Sequence, residues 1–334
     1  MAPLRTVNLG DITLVLGAVM RYGKLLFLGA LTQTNKPLSD KFKFKWFKGF
    51  KSLTLVVVLI IKSIKKMKVR NGINLCFVIA FLVFQINVVA QVKVDSSRVV
   101  RVLTYNIYHG ETVDTDKKFD LDLLAKIIGD TRPDLVAMQE VDFKTKRARN
   151  FDLVTELGQR TKLVPLFGKA MAFDGGEYGE GILSRYTFLT TQNHALNARE
   201  GKEPRAALEV KIVLKSGDTI RFVATHLDHT KDETDRIMQA NELNAIFSDN
   251  MPTIMAGDLN ALPESETIKI LSKKWTSSFL DNAPTFPAID PKKKIDYILY
   301  KPEGRWRVLE THVIDEKKAS DHRPVLSVLE LLKP

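Results

Sequence analysis

The sequence predicts an α/β fold, and three neighbouring segments carry that expectation. Residues 99–105 are β-branched and apolar, residues 119–128 repeat apolar side chains at helical spacing, and residues 135–138 form a short apolar run of buried-strand type. A strand, a helix and a second strand in that order are the unit from which helix-covered sheets are built.

Further elements follow from the same patterns. Residues 151–160 and 264–271 read as helices, and so do residues 233–247, where Ile237, Ala240, Leu243, Asn244 and Phe247 fall on or near one face. Strands are expected at 182–184, 207–214, 219–225, 253–256, 295–300, 307–312 and 325–329, with no repeat of fixed period.

Charge divides the chain. Its net +11 is concentrated in residues 1–90, where 14 lysines and arginines face only Asp11 and Asp40, a local +12 that leaves residues 91–334 near −1. A near-neutral body exerts no general pull on a polyanion, so nucleic-acid binding would need a local basic patch. Those 244 residues suffice for one substantial core and are expected to form a single monomeric domain.

Lys68 and Arg70, an apolar stretch at 75–84, then Val88-Val89-Ala90 and Gln91 read as a signal peptide over residues 67–90, cleaved after Ala90. The expected destination is the periplasm or the exterior. An uncleaved membrane anchor is the alternative, although Asn74, Gln85 and Asn87 interrupt residues 73–90. Cys76, the single cysteine, lies inside the apolar segment, so the mature chain has no cysteine for an internal disulfide. Residues 1–66 form a basic extension that includes Lys41-Phe42-Lys43-Phe44-Lys45-Trp46-Phe47-Lys48. A mis-assigned start explains why a signal peptide should sit at an internal position; an arm for anionic lipid or nucleic acid is the other reading. The apolar segments at 14–20, 25–31 and 53–61 are each too short to span a bilayer alone.

Function is carried by four motifs in fixed order: Leu103-Thr104-Tyr105-Asn106, Met138-Gln139-Glu140, Ala256-Gly257-Asp258-Leu259-Asn260 and Ser320-Asp321-His322. Each ends or follows an apolar run, which puts Asn106, Glu140, Asp258, Asn260, Asp321 and His322 at strand ends, where polar groups can converge on one cleft. Thr225-His226-Leu227 and Ile295-Asp296-Tyr297-Ile298 join them. Cleaving a phosphate ester requires a hard cation to neutralise charge, a group that orients water, and donors for the developing oxyanion. Asn106, Glu140 and Asp321 supply the amide and carboxylate oxygens that Mg²⁺ or Mn²⁺ prefers. Read as an extended segment, Asp258 and Asn260 point the same way while Leu259 faces the opposite side. An Asx turn before Pro263 would present the pair.

Over residues 97–331 these motifs resemble the endonuclease/exonuclease/phosphatase superfamily, which includes pancreatic deoxyribonuclease, abasic-site endonucleases, neutral sphingomyelinases and inositol polyphosphate phosphatases. The resemblance implies a four-layer sandwich, two packed mixed β-sheets flanked by helices. It also implies that Glu140 is the principal metal ligand, that Asp258 orients or deprotonates water, and that Asn260 donates to a phosphate oxygen. Asp296 would pair with His322 as a dyad that donates to the phosphate or leaving group, with His226 on the other side of the phosphate. Glu180 would orient His226, and Arg205 would grip substrate. His109, Tyr178, His229 and the Gly175-Gly176 loop would shape the rim. The loop bearing Lys144, Lys146, Arg147 and Arg149 would recruit a second phosphate or anionic headgroup.

The sequence therefore points to an exported Mg²⁺-dependent phosphodiesterase that uses direct attack of water, with no protein partner expected. Its substrate would be a phospholipid headgroup, a nucleic acid or a small phosphodiester. An extracellular endonuclease acting on DNA is the alternative within this fold, and a catalytically idle surface-binding module is the alternative outside catalysis.

Overall fold

The computed structural model describes residues 5–9, 12–21, 24–33, 94–279 and 281–334. The chain falls into two compact units, Met1–Lys93 and Val94–Pro334. In the first, β1 (Arg5–Leu9), β2 (Ile12–Arg21) and β3 (Lys24–Gln33) form an antiparallel meander that contains the apolar segments at 14–20 and 25–31. The segment at 53–61, the basic and aromatic run at 41–48 and the signal-peptide region at 67–90 lie outside the described residues. No helix among the described residues is long and apolar enough to cross a membrane.

The second unit is built on two six-stranded sheets. One contains β4 (Val99–Asn106), β5 (Leu135–Phe143), β6 (Val164–Phe173), β7 (Gly176–Ser184), β14 (Trp306–Val313) and β15 (Val325–Leu331), in the order β14-β15-β4-β5-β7-β6. The other contains β8 (Thr190–Leu196), β9 (Arg205–Val213), β10 (Thr219–His226), β11 (Thr253–Asp258), β12 (Thr276–Ser277) and β13 (Asp296–Lys301), in the order β12-β13-β11-β10-β9-β8. The pairs β4–β5 and β10–β11 are parallel and the rest antiparallel, so both sheets are mixed.

Strand periodicity explains the layering. In β4, Val100 and Val102 face the other sheet, where Phe222, Ala224, Ile254, Ala256 and Ile298 complete one core. Leu103 and Tyr105 face outward onto α1 (Leu121–Thr131) and α2 (Leu153–Thr161) through Leu124, Ile128, Leu153 and Leu157. On the far side, Val223 and Met255 meet Ala240 and Leu243 of α3 (Thr234–Ile246) and Ile270 of α4 (Glu266–Leu271). The four expected layers are present. Phe222, wholly buried, contributes about 2–3 kcal/mol by leaving water.

The same alternation places the polar residues. Val100, Val102, Thr104 and Asn106 are successive inward positions of β4, and Asn106 ends the series at the rim of the sandwich. Ile220, Phe222 and Ala224 lead in the same way to His226, and Ile254 and Ala256 lead to Asp258. Register sets His226 beside Asp258 and Asp258 beside Asp296, which starts β13. Gly257 lets β10 and β11 close up, because a Cβ there would lie 1.8 Å from the Thr225 carbonyl oxygen.

Several boundaries differ from expectation. Helix α1 starts at Leu121 because the Asp120 carboxylate caps it by accepting from Leu123 N, and Ser265 caps α4 at Ile268 N in the same way. Strand β5 continues past Met138 to Phe143 through a register shift, with Glu140 in the left-handed region at φ 58. Strands β6 and β8 were not foreseen, and β7 begins at Gly176 instead of residue 182. Asn260 is left-handed at φ 47, so it is the turn, and not continued extension, that turns its side chain to the same side as Asp258.

Candidate active site

Four strand ends and two loops converge at one rim of the sandwich. Asn106, fully buried, is the hub: its Nδ2 donates to Glu140 Oε1 at 3.0 Å and to Asp258 Oδ2 at 3.2 Å. Its own Oδ1 accepts from the Tyr108 backbone at 3.1 Å. Ser320 Oγ donates to the Asn106 carbonyl at 2.6 Å, which ties the Ser320-Asp321-His322 loop to β4 across 214 residues of sequence. No reading of Ser320 alone would have shown this.

Asp258 sits between two imidazoles. Its Oδ2 lies 3.5 Å from His226 Nε2 and 3.6 Å from His322 Nε2, and its Oδ1 accepts from Asn260 N at 2.9 Å, the Asx turn. The two rings are held in opposite charge states. Burial works against a charged His322, but Asp296 and Asp258 outweigh it and push its pKa up to about 10. His322 Nδ1 donates to both Asp296 oxygens, at 3.0 and 3.2 Å, while Phe286 packs on the ring at a centroid distance of 4.8 Å. His226 is pushed well below the usual histidine range by burial and then by the positive charge of Arg205. Arg205 Nη1 lies 3.1 Å from His226 Nδ1, on the side of the ring away from the Nε2 that faces Asp258. The Asn260 amide nitrogen lies 3.0 Å from that Nε2 and donates to the Leu227 carbonyl at 3.1 Å. Asp258 itself is raised above the usual carboxylate range, by burial first; His322 opposes that shift and Asp296 adds to it.

Glu140 behaves differently. Burial opposes its ionisation, but it is nonetheless brought down to about 2, with the Asn106 amide donating to it and the charged His322 favouring the anion. Its Oε2 is 3.8 Å from His109 Nδ1, beyond hydrogen-bond length. Asp321 is raised by burial, opposed by His322 and reinforced by the negative charge of Glu140. Two carboxylates that repel one another form an oxygen donor set suited to a hard divalent cation. Asn106, expected as a third ligand, turns its Oδ1 to Tyr108 N and its Nδ2 to Glu140, so it positions the carboxylate and does not add an oxygen to the set. The residues present therefore fit Mg²⁺ or Mn²⁺. Asp258, Asp296 and His322 also offer ligand atoms within 4.8 Å of each other. A charged imidazole has no lone pair for a metal, so that trio suits proton handling better.

Other expected residues fall in varied places. Arg205 is 2% exposed; besides His226 it donates through Nη2 to Glu203 at 2.9 Å and to His229 Nδ1 at 3.1 Å. Glu203, which the sequence did not single out, thus steadies the arginine. His229 is half exposed at the rim, and the His109 ring leans on Tyr108 at 4.4 Å. Tyr178 is buried beside Phe173, with Arg147 over its ring at 5.7 Å. Arg149 lies over Phe119 at 5.1 Å and makes no hydrogen bond to the cluster.

Glu180 corrects an expectation. It lies within β7, wholly buried, with Oε2 unpartnered, and makes no hydrogen bond to His226; Arg205 holds that ring instead. Burial, against the pull of Arg205, raises the Glu180 carboxyl to about 8. The folded chain thus keeps this proton where the unfolded chain, ionising near 4.5, has lost it. The stability contributed by the neutral form is complete below about 4.5 and is lost as pH rises to about 8. Glu180→Gln should therefore melt close to wild type at pH 5 and several degrees higher at pH 8.5. Parallel melting curves across that range would refute the assignment.

Sequence comparison matches residues 103–322 to the model of the endonuclease/exonuclease/phosphatase family. The chain belongs to this family. Its members are phosphoester hydrolases that generally work with a metal ion. A candidate neutral sphingomyelinase of Drosophila melanogaster is 27% identical over 203 residues, 55% of this chain and 43% of that protein, so the chain spans less than half of this curated relative. Among solved structures, an endonuclease/exonuclease/phosphatase from Beutenbergia cavernae DSM 12333 superposes with a TM-score of 0.60 at 21% identity, covering 70% of this chain and 72% of that one. A mannosyl-6-phosphatase of Bacteroides thetaiotaomicron VPI-5482 superposes with a TM-score of 0.56 at 18% identity, covering 70% and 100%. At these identities the structures show the fold alone.

Proposed function

We propose that the chain is an exported, Mg²⁺- or Mn²⁺-dependent phosphodiesterase that hydrolyses its substrate by direct attack of water. The observation that carries this reading is the Asp258 carboxylate, raised in pKa and set 3.5 and 3.6 Å from a neutral and a charged imidazole. Glu140, oriented by Asn106 Nδ2, and Asp321 would hold the ion, which would supply charge neutralisation at the phosphate. Asp258, a stronger base than a solvated carboxylate, takes a proton from the attacking water. The water oxygen bonds to phosphorus as the bond to the leaving oxygen breaks. His322, kept cationic by Asp296, supplies the proton that the leaving oxygen takes up. Asn260 and His226, its ring held by Arg205, steady the phosphate oxygens. No nucleophilic side chain is required. Residues 67–90 act as the export signal in this reading, with cleavage after Ala90.

The test is hydrolysis by the full chain of plasmid DNA, sphingomyelin, phosphatidylinositol and bis-4-nitrophenyl phosphate, with Mg²⁺ or with chelator, against Asp258→Ala. Turnover that needs both the metal and Asp258 supports the reading. Turnover indifferent to either overturns it.

A further inference from the structure

The loop between β5 and α2 contains an arginine more firmly held than charge balance requires. Arg147 Nε and Nη2 donate to Asp142 Oδ2 and Oδ1 at 2.7 and 2.8 Å, and Asp142 is itself fully buried and accepts from Thr145 Oγ1 at 2.5 Å. The guanidinium lies over the Phe173 ring at 4.5 Å and the Tyr178 ring at 5.7 Å. The backbone is tied down as well: Arg147 N donates to Asp174 Oδ2 at 2.8 Å and Lys146 N to the Asp174 carbonyl at 3.1 Å, which fixes the loop to the β6–β7 turn.

Yet the side chain remains about a third exposed, and its Nη1 edge has no hydrogen-bond partner among the described residues. Asp142, which holds the guanidinium, lies two residues beyond Glu140 on β5, so the arginine is anchored to the strand segment that carries Glu140. Tyr178, whose ring lies under the guanidinium, is the β7 register partner of Asp142. Lys144, Lys146 and Arg149 share the loop with Arg147, and among the described residues none of the three is paired with a carboxylate. One buried Asp142 does not call for four cations.

We propose that Arg147 is a specificity residue that grips, through its free Nη1 edge, a second anionic group of the substrate beside the scissile phosphate. A guanidinium can hold a carboxylate by one edge and an anion by another, and its fixed orientation lowers the entropic cost of that contact. Lys144 and Lys146, in the same loop, add positive charge near it. The substrate class is a phosphodiester that also bears a phosphate monoester. The same field disfavours a headgroup ending in a cation, such as phosphocholine. This rests on the reading of the Glu140 and Asp258 cluster as the hydrolytic centre.

Two substrate pairs isolate the second charge: glycerophosphoinositol 4-phosphate against glycerophosphoinositol, and pTpT against TpT. For the full chain with Mg²⁺, the ratio of kcat/KM within at least one pair should be about tenfold or more, the scale of one charge-assisted contact. Arg147→Gln should bring it below about twofold. Arg147→Lys still pairs with Asp142 but has no second edge, so it should lose the ratio even if the glutamine variant fails to fold. The pair that responds tells a sugar-phosphate headgroup from a nucleotide. Binding to Asp258→Ala protein is measured alongside, with inositol 1,4-bisphosphate against inositol 1-phosphate and thymidine 3′,5′-bisphosphate against thymidine 5′-phosphate as probes. If no ester is cleaved, the hydrolytic reading fails while the binding ratio still tests Arg147. A ratio near one in wild type, or a preference that survives in both variants, overturns the proposal.

Discussion

Asp258→Asn and His322→Ala should each lower kcat/KM by at least about 10²-fold, the scale of removing a general base or acid. Asparagine preserves the shape of Asp258 and the acceptor for Asn260 N, a contact of 2.9 Å, while the proton-accepting Oδ2, which also accepts from Asn106 Nδ2 at 3.2 Å, becomes an amide donor. The carboxylate is 1% exposed and raised in pKa, which means that its charged form is held at an energetic cost. Relief of that cost offsets the lost Asn106 contact, so the melting temperature should stay within a few degrees of wild type. This separates chemistry from folding: activity falls while stability does not. The His322 variant differs, since removing the ring leaves Asp296 buried without its 3.0 Å partner and should reduce stability as well. Near-normal turnover in both purified variants would sink the mechanism. A loss of activity that merely tracks unfolding in the asparagine variant would assign Asp258 a structural part.

The sequence made the centre of the fold legible because its signals are local. An inward column of apolar residues ending in Asn106, His226 or Asp258 is visible as a short apolar run that stops at a polar residue, and the motif order supplied the rest. Edges were less legible. Most of β8 is exposed, so no half-buried alternation marks it. Strand β7 reads as a glycine-rich loop, whereas a Cβ on Gly179 would lie 2.0 Å from the Gly168 carbonyl oxygen, so that glycine permits β6 and β7 to pack closely. The partners of Arg205 and Glu180 depend on which groups meet across the two sheets, and spacing along one strand carries no such information. For the same reason the basic loop looked uniform in sequence. Asp142 and the Phe173 and Tyr178 rings single out Arg147, while Arg149 lies apart on Phe119.

Glu140→Gln should abolish metal-dependent turnover, with a loss of about 10²-fold or more, because removing a ligand charge weakens both the ion's binding and its neutralisation of phosphate. Glu140 is held ionised near pKa 2, and its left-handed conformation at φ 58 aims it from the β5 bulge into the site. Its Oε1 already accepts from Asn106 Nδ2 at 3.0 Å, a contact that glutamine can retain with its carbonyl oxygen, so Asn106 should keep its place. The decisive readout is thermal. An ion that binds only the folded chain stabilises it by about 2.7 kcal/mol at a concentration of 100 Kd, which raises the melting temperature of wild type on Mg²⁺ or Mn²⁺ addition. The glutamine variant should show little of that rise while melting normally without metal. An undiminished rise would move the ion away from Glu140 and towards the Asp258, Asp296 and His322 trio, where binding would have to displace the proton that His322 holds.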